Sequence, residues 1–233
     1  MHPYKLTRAF IDESKRIAGT EVVIGRVEGV ERAGEHITGV KVDGKIIAAD
    51  VVVIAMGPWT HKACDWFDMP RISGGRAHSV VLRPKQPSDV TAHCLFTEYV
   101  DKDLNGEPEL YPRPDGTVYA CGFSDKEKLP NTAHDVQVNA KSCQLLKQIC
   151  GRISKNLADA EVVAEQACYL PTPPGHLPVI GRVPNTDNVY MASGHTCWGI
   201  LNAPATGKAV AELIVDGKCS FIDLEPFMPK NNM

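Results

Sequence analysis

Apolar residues near the start of the chain recur every three or four positions, which is the spacing of an amphipathic helix. The residues on this spacing are Leu6, Ala9, Phe10 and Ile17. His2-Pro3 precedes them, and proline suits a first helical turn, while Gly19 follows them as a typical residue just past a helix end. The pattern therefore predicts a helix that opens at Pro3 and stops at Gly19.

The apolar pattern next changes to short β-branched runs, which predict strands. The predicted strands are residues 21–24, 26–31, 36–42 and 45–48, of which the last three form a small antiparallel meander. Asp43-Gly44, between the last two, is a dipeptide that suits a tight type I′ hairpin turn. Residues 50–55, DVVVIA, show no alternation, so we expect a strand that is buried on both faces, as in a parallel sheet.

Residues 71–164 differ in composition from the segments before them, because short strand-like segments alternate with loops that are rich in Pro and Asp. The strand-like pieces are residues 78–82, 109–111 and 117–121. One helix is predicted over residues 134–150, with an apolar stripe of Val136, Ala140, Cys143 and Leu146. This block indicates a separate antiparallel α+β unit.

After the middle block the apolar pattern predicts one more strand and one more helix. Residues 188–192 predict the strand, and residues 203–215 predict the helix, with Asn202 as its N-cap and Gly217 just past its end. Small residues on one helix face would allow close packing on the preceding strand: Ala203, Gly207 and Ala211. Because residues 50–55 and 188–192 both have the pattern of buried strands, we expect a core βα layer built from both chain ends.

The composition is that of an ordinary globular protein. Of 233 residues, 43% are hydrophobic and 23% are charged, so one large or two small domains can form a core without metal or disulfide staples. The net charge of −3 and the lack of a basic block argue against a nucleic-acid partner. No apolar run reaches bilayer length, so no transmembrane segment is expected. The eight cysteines are scattered and no secretory signal is recognised, which favours reduced thiols, a cytoplasmic location and no metal site.

The segment Gly194-His-Thr-Cys-Trp-Gly199-Ile-Leu-Asn202-Ala-Pro204 is the sharpest chemical feature. It follows a predicted strand and opens a predicted helix. Its glycines allow a ligand to approach the backbone closely, and free N–H groups at a helix start favour an anion or a polarised carbonyl. A plain strand–helix turn would have the same spacing, so that alternative stays open.

A second chemical feature is a predicted hairpin over residues 109–122 with a Pro-Asp-Gly turn. Tyr111 and Arg113 fall on one face of its first strand, because side chains alternate along a strand. A phenol and a guanidinium that project together could hold a carboxylate or a flavin edge. A hairpin with an exposed arginine is the alternative.

These segments, in this order, resemble the FAD-dependent superfamily that contains D-amino acid oxidase, glycine oxidase and sarcosine oxidase, and most closely its eukaryotic branch of oxidoreductases. The resemblance rests on HPYKL from His2, EVVIGRVEGV from Glu21, ADVVVIAMGPW from Ala49, LYPRPDGTVYACG from Leu110, HLPVIG from His176 and GHTCWGILNAPATGKAVAEL from Gly194. It extends over essentially the whole chain, and its last segment is the most specific.

The resemblance implies an α/β fold mixed with α+β. A partial FAD-binding βα domain, residues 1–70 and 165–233, would be interrupted by an antiparallel-sheet substrate domain, residues 71–164. The strand at Val27 would lie beside the adenine of FAD. The adenosine would be bordered by Ala55, Met56, Gly57 and Trp59. The flavin pyrimidine would be covered by the loop of Gly194, His195, Cys197, Trp198, Gly199 and Ile200, and the following helix would be directed at a flavin carbonyl.

Two departures from the family pattern change what the resemblance implies. Family members carry a Gly-x-Gly-x-x-Gly fingerprint that holds the FAD pyrophosphate, and none occurs in these 233 residues. We therefore expect the C-terminal part of a longer protein, with little retained FAD. Amino-acid oxidases of this group commonly place a carboxylate-binding arginine where Leu170 stands, and glycine-oxidase-like loops carry another where Cys197 stands. Simple α-amino acids are then not expected as good substrates, unless Arg113 takes that role.

The sequence thus predicts an FAD-dependent oxidoreductase of the amine or amino-acid oxidase type. It would transfer a hydride from a substrate C–H bond to the flavin, with oxygen as the electron acceptor. Tyr111 and Arg113 are the residues expected to orient the small-molecule substrate. The alternative, from a different class, is a non-catalytic binding or adaptor protein on a decayed or truncated oxidase fold. The sequence specifies neither the substrate's identity nor a protein partner.

Overall fold

The computed structural model describes residues 2–175 and 177–230. Its helices are α1 (Pro3–Ala18), α2 (Ala140–Ile153), α3 (Lys155–Ala158) and α4 (Gly199–Asp216). Its strands are β1 (Val27–Ala33), β2 (His36–Val42), β3 (Lys45–Ala48), β4 (Val52–Ile54), β5 (Ser73–Arg83), β6 (Leu95–Phe96), β7 (Tyr99–Val100), β8 (Asn105–Gly106), β9 (Glu109–Pro112), β10 (Val118–Asp125), β11 (Glu161–Thr172), β12 (Val179–Arg182) and β13 (Val189–Ser193). The chain forms two compact units: a flanking unit, up to Ile72 and from Pro173 onward, and a middle unit between them.

The flanking unit contains the predicted first helix and meander. α1 ends on Gly19 (φ 62°), whose backbone N–H donates to the carbonyl of Lys15. β1, β2 and β3 are antiparallel neighbours in that order. Asp43 (φ 48°) and Gly44 (φ 77°) both have the positive φ that a type I′ turn requires. The helix end and the hairpin turn are confirmed, because both depend on residues that tolerate left-handed backbone.

Residues 21–24 do not form the predicted strand. Extended chain becomes a strand only beside a hydrogen-bonding neighbour, and no segment of the described residues pairs with them. Their apolar side chains are exposed as a consequence, with 91% of Ile24 and 60% of Val23 accessible. Helix α1 as described also has no buried residue. The apolar pattern of this region predicts a burial that the described residues do not provide.

A mixed sheet in the order β12–β13–β4 joins strands from the two ends of the chain. β13 and β4 are parallel, with Val189 opposite Val52 and Met191 opposite Ile54, so the two apolar runs do share one layer as expected. The expected burial on both faces is wrong. Ile54 is 5% exposed, whereas Val53, on the opposite face, is 43% exposed. One hydrophobic cluster of this unit packs on the Ile54 face, whereas the cluster of α4 on the opposite face includes Ile180 and does not include Val53.

Helix α4 ends where predicted but begins earlier. Its C-cap is Gly217 (φ 71°). The 3-10 turn Thr196–Trp198 leads directly into the helix at Gly199, so Trp198 is the N-cap and Asn202 lies inside the helix. The N-cap prediction for Asn202 is therefore wrong, because the preceding turn has already set helical backbone.

The buried face of α4 is not the small-residue face. Ala209 and Val210 are buried and pack with Ile180 and Leu224. The small residues are exposed in the described structure: Ala203, Gly207 and Ala211. The expectation that they pack on the preceding strand is wrong, because Ala209 and Val210 make the buried contacts of α4 instead.

The middle unit is an antiparallel sheet with one helix packed against it. The strand order is β11–β5–β10–β9–β6, and every pairing within it is antiparallel. α2 contributes Cys143, Leu146 and Cys150 to a core that also contains Val80 and Ala120. The α+β arrangement of this block is confirmed, and its role as a substrate domain stays a prediction.

Helix α2 begins at Ala140 and not at residue 134. The side chain of Asn139 caps it, accepting hydrogen bonds from the backbone N–H groups of Lys141 (3.1 Å) and Ser142 (3.4 Å). Val136, which shares the helical spacing, is extended (φ −66°, ψ 116°). An N-cap residue has non-helical backbone, so the helix cannot continue back through Asn139.

The middle unit also ends later than the predicted boundary between residues 164 and 165. β11 pairs with β5 along its whole length, from Glu161 opposite Arg83 to Thr172 opposite Ser73. This ladder holds the end of β11 in the middle unit, and the first boundary likewise follows Ile72 rather than residue 70. The assignment of the two units to FAD and substrate stays a prediction.

Three general features bear on function. None of the helices in residues 2–175 and 177–230 combines the length and hydrophobicity needed to span a membrane. The same residues contain no group of three or more His, Cys, Asp or Glu side chains arranged to hold a metal ion. All eight cysteines are unpaired thiols.

Candidate functional site

The loop between β13 and α4 is held in a specific conformation by its first two residues. Gly194 is buried and has φ 84°, and a Cβ placed on it would lie 3.1 Å from the Cβ of Pro173. The ring of His195 reaches helix α4, where its Nε2 is 3.0 Å from the hydroxyl of Thr206. Burial lowers the pKa of His195, which favours the neutral imidazole. The loop is thus fixed to the helix that it opens.

The next residues of the loop turn outward. Thr196 has φ 50°, a left-handed conformation that is strained for a β-branched residue and is often kept at functional sites. The backbone N–H of Trp198 donates to the carbonyl of His195 at 2.9 Å, which closes the turn. Cys197 is exposed, as are 58% of Trp198 and 45% of Ile200. An apolar surface therefore surrounds the start of α4.

The start of α4 has the electrostatic character of an anion site. Its N-cap, Trp198, makes no side-chain capping bond in the described structure, and its first turn from Gly199 contains no acidic residue. The first backbone N–H groups of a helix lack partners within the helix, and the helix dipole adds partial positive charge there. This end can receive an anion or the oxygen of a polarised carbonyl.

The turn after β4 is joined to the end of β13 by buried hydroxyls. Gly57 has φ 53° and opens the 3-10 helix Gly57–Asp65. The hydroxyl of Thr60, which is fully buried, donates to the carbonyl of Gly57 at 2.7 Å and lies 2.9 Å from the hydroxyl of Ser193. Ser193 immediately precedes the Gly194 loop. Thr60 and Ser193 therefore bring together the turn expected at the adenosine and the loop expected at the flavin.

The other residues expected at the cofactor have different surroundings. Ala55 is exposed, whereas Met56 and Trp59 are half-buried beside the Gly57 turn. Val27 lies on the edge strand β1 and is 39% exposed. All the predicted cofactor residues belong to the flanking unit. Sequence reasoning missed Thr60 and Ser193; only Ser193, a polar residue directly after the predicted strand 188–192, gave a signal in the sequence.

The residues expected at the substrate lie in the middle unit, on the sheet face opposite α2. Tyr111 on β9 is the register partner of Tyr119 on β10, and Glu109 is the partner of Cys121. The Tyr111 hydroxyl donates to Glu109 Oε2 at 2.5 Å, and the Cys121 thiol lies 3.7 Å from the same oxygen. The sequence identified Tyr111 but missed Glu109, which the same period of two places on this face.

Aromatic rings form the walls of this polar face. Phe96 meets Tyr111 edge to face, with 5.8 Å between ring centroids, and Tyr111 and Tyr119 are 6.1 Å apart. The Arg113 guanidinium lies 5.0 Å from the centroid of the Tyr119 ring. Tyr111 and Arg113 thus belong to one cluster, as predicted from their spacing, but Arg113 reaches it through Tyr119. Their role with a substrate stays a prediction.

The two tyrosines and the cysteine of this cluster are held in their neutral forms. Burial, reinforced by the Glu109 carboxylate, raises the pKa of Tyr111 above its usual range. Burial and the same carboxylate raise the pKa of Cys121 to about 12. Burial raises the pKa of Tyr119 to about 12. A hydroxyl and a thiol therefore remain donors toward Glu109 near neutral pH.

Leu170 lies on β11, half-buried and opposite Gly75 in the sheet. The leucine side chain carries no charge, so it cannot bind a substrate carboxylate. The predicted consequence for substrate choice stays a prediction.

Comparison with known proteins identifies relatives of this fold. Residues 1–213 match the family of FAD-dependent oxidoreductases known as DAO. A Schizosaccharomyces pombe protein named as an oxidoreductase is 32% identical, over 100% of this chain and 64% of its own length. L-proline dehydrogenase of P. horikoshii has a similar structure, with a TM-score of 0.79, 22% identity, and coverage of 97% of this chain and 58% of its own. Iminodiacetate oxidase of Chelativorans sp. BNC1 has a TM-score of 0.78, 18% identity and the same two coverages. The chain therefore spans only part of the length of the proteins that it matches.

Proposed function

Because this chain belongs to the FAD-dependent oxidoreductase family, we propose that it supplies the flavin-ring and substrate contacts of an enzyme that oxidises an amine or amino-acid derivative. The observation that carries the proposal is the uncapped start of α4 beneath a strained, outward-facing loop. Such a helix start stabilises negative charge, which is what a reduced flavin ring carries at its pyrimidine edge. A loop that had lost its ligand would have no reason to retain this strain, which argues against the non-catalytic alternative.

The chain's residues fit one end of FAD better than the other. The flavin ring would be held by the loop of Gly194, His195, Cys197, Trp198, Gly199 and Ile200. Val27 and the turn of Ala55, Met56, Gly57 and Trp59 would contact the adenosine. The Gly-x-Gly-x-x-Gly cradle for the pyrophosphate does not occur in these 233 residues. We therefore propose that this chain alone binds FAD weakly.

The bound flavin would supply the hydride acceptor, while the residues of this chain prepare the surroundings. The α4 N–H groups would lie toward the flavin and would favour negative charge there. Neutral His195 holds the loop against α4 through Thr206. Thr60 and Ser193 would hold the adenosine-side turn at Gly57 against the flavin-side loop at Gly194. None of these roles requires a protein acid or base.

The substrate contacts in this proposal come from the middle unit. Tyr111 and Arg113 would orient the substrate on their sheet face, and Leu170 would disfavour small zwitterions because it cannot pair with a carboxylate. Oxygen is the electron acceptor that we propose. The similar structures include both an oxidase and a dehydrogenase, so the acceptor needs its own measurement. A cytoplasmic location, supported by the unpaired cysteines, is part of the same proposal.

The flavin contact is tested by an aspartate in the first turn of α4. Ile200→Asp adds a negative charge that stabilises the helix itself but repels an electron-rich flavin edge, and Ile200→Asn is the uncharged control of the same shape. FAD binding is followed by quenching of tryptophan fluorescence, since all three tryptophans, Trp59, Trp66 and Trp198, lie in the flanking unit. We expect Ile200→Asp to bind FAD about two- to fivefold more weakly than Ile200→Asn.

Equal quenching in the two variants, or none at the highest soluble FAD concentration, would contradict the flavin contact. The chemistry is tested separately by adding alkylamines or glycine to the chain with excess FAD. Bleaching of the flavin without air measures substrate oxidation, and oxygen uptake in air identifies the acceptor. Faster reaction with glycine than with alkylamines would contradict the substrate part of the proposal.

A further inference from the structure

The middle unit contains one partly buried carboxylate without a positive partner. Two of its acidic residues are half-buried, Glu109 and Asp125, and the others are exposed. Asp125 forms an ion pair with Arg76, whose Nη2 lies 2.7 Å from Asp125 Oδ2. Glu109 has no basic side chain within 4.0 Å among the described residues. A carboxylate that is withdrawn from water usually has a cation to compensate it, so this one is available to a ligand.

The hydrogen bonds of Glu109 leave half of the carboxylate free. Oε2 accepts from the Tyr111 hydroxyl and lies near the Cys121 thiol. Oε1 has no hydrogen-bond partner in the part of the chain that the structure describes. The two donors hold Oε2 without neutralising the carboxylate, because burial raises the pKa of both and they remain protonated near neutral pH. The free oxygen is therefore oriented in advance for a donor from outside the protein.

The rings around Glu109 favour the same kind of ligand. Tyr111, with Phe96 and Tyr119 beside it, forms an aromatic wall next to the carboxylate. Aromatic faces attract organic cations, and the attraction is stronger where water is partly excluded. The guanidinium of Arg113 stacks on Tyr119, two strand positions along from the level of Glu109 and Cys121, so it does not occupy the Glu109 oxygen.

We propose that Glu109 and the ring of Tyr111 bind the alkylammonium group of the substrate. This inference rests on the proposed function for the statement that the ligand is a substrate, whereas the binding itself needs no flavin.

The test compares three small probes of one shape on the intact 233-residue chain without flavin. Butylammonium is the cation, butanoate is the anion, and 1-butanol is the neutral form. Binding is measured by ligand-observed NMR at neutral pH on the wild type and on Glu109→Gln, which keeps the size and removes the charge. Glu107→Gln, at an exposed acid two residues earlier, is the matched control for net charge.

We expect the wild type to bind butylammonium in preference to both other probes. Glu109→Gln should weaken butylammonium binding about tenfold or more, because a charge-assisted hydrogen bond is lost, while Glu107→Gln leaves it unchanged. Tyr111→Phe retains the ring and should lose less than Glu109→Gln. Equal binding by wild type and Glu109→Gln, stronger binding of butanoate, or no binding of butylammonium would each overturn the proposal. Failure of FAD to bind leaves these measurements unaffected, so the two proposals fail separately.

Discussion

A single buried asparagine connects three segments of the flanking unit and offers a sharp test of how that unit is held together. Asn188 is 6% exposed and immediately precedes β13. Its Oδ1 accepts from the backbone N–H of Ile37 at 2.9 Å, and its Nδ2 donates to the carbonyls of Ile37 (2.7 Å) and Asp50 (2.8 Å). The side chain thus joins the meander and the approach to β4 with the parallel strand that leads to the flavin loop.

The expected cost of Asn188→Ala follows from these three bonds. Each buried hydrogen bond contributes about 1 kcal/mol net, so the substitution should lower the free energy of unfolding by about 3 kcal/mol. With a urea dependence of about 2 kcal/mol per molar, the unfolding midpoint should fall by about 1.5 M. Asn188→Asp retains the acceptor but loses both donors and points a carboxylate at two carbonyls, so it should be at least as destabilising at pH 7.

The assay is urea unfolding followed by tryptophan fluorescence. All three tryptophans lie in the flanking unit, so the signal reports the unit that contains Asn188. Asn202→Ala is the control, because Asn202 is exposed on α4. A midpoint for Asn188→Ala within about 0.3 M of the control would refute the reasoning, since it would leave less than about 1 kcal/mol for three buried bonds.

Two further predictions concern pH. The Arg76 guanidinium holds the pKa of Asp125 well below its usual range, so this carboxylate contributes stability above the unfolded-state pKa and loses it as the pH falls. Hydrogen exchange in α2 should show Asp125→Asn less stable by about 2 kcal/mol at pH 7, with the difference shrinking below about pH 4; a difference that persists undiminished at pH 2 would count against the ion pair. Burial lowers the pKa of His195, so its contribution is complete above the ordinary histidine value of about 6.5 and is lost as the pH falls through the lowered one. His195→Gln should therefore flatten the pH dependence of the tryptophan-detected midpoint between about pH 5 and 7, and an unchanged slope would assign that dependence to other groups.

Features set by local backbone preference could be predicted from the sequence. The ends of α1 and α4 depend on Gly19 and Gly217, and the turn between β2 and β3 depends on Asp43-Gly44. These residue types adopt positive φ readily, so their positions mark such turns in the sequence itself. The composition of residues 50–55 also indicated a strand of a parallel sheet, and β4 does pair in parallel with β13 from the other chain end.

Features set by tertiary neighbours could not be predicted in the same way. Residues 21–24 have strand-like composition, but no described strand pairs with them. β4 is buried on one face only, and which face is covered depends on the segments that pack against the sheet. β11 was missed as a long strand because its pairing with β5 depends on a distant segment.

Some features of the candidate site could be predicted from the sequence and others could not. The spacing of residues along the chain predicted the Gly194 loop and the sheet face that contains Tyr111. The contacts of Thr60 with Ser193, and of Glu109 with Cys121, join residues that only the folded sheet brings together.

The pairing of β5 with β11 has a consequence for the order in which the chain folds. Ser73 and Thr172, the first and last residues of the middle unit, are partners in the sheet, so the unit closes on itself at its own ends. Once it has formed, the chain between β4 and β13 is effectively shortened to the segments on either side of it. The entropic free-energy cost of bringing β4 and β13 together then falls by roughly 1 kcal/mol, because that cost grows with the logarithm of the loop length. Pairing of parallel strands that are distant in sequence is intrinsically slow. Early folding of the middle unit would therefore speed the pairing of β4 with β13 in the flanking unit.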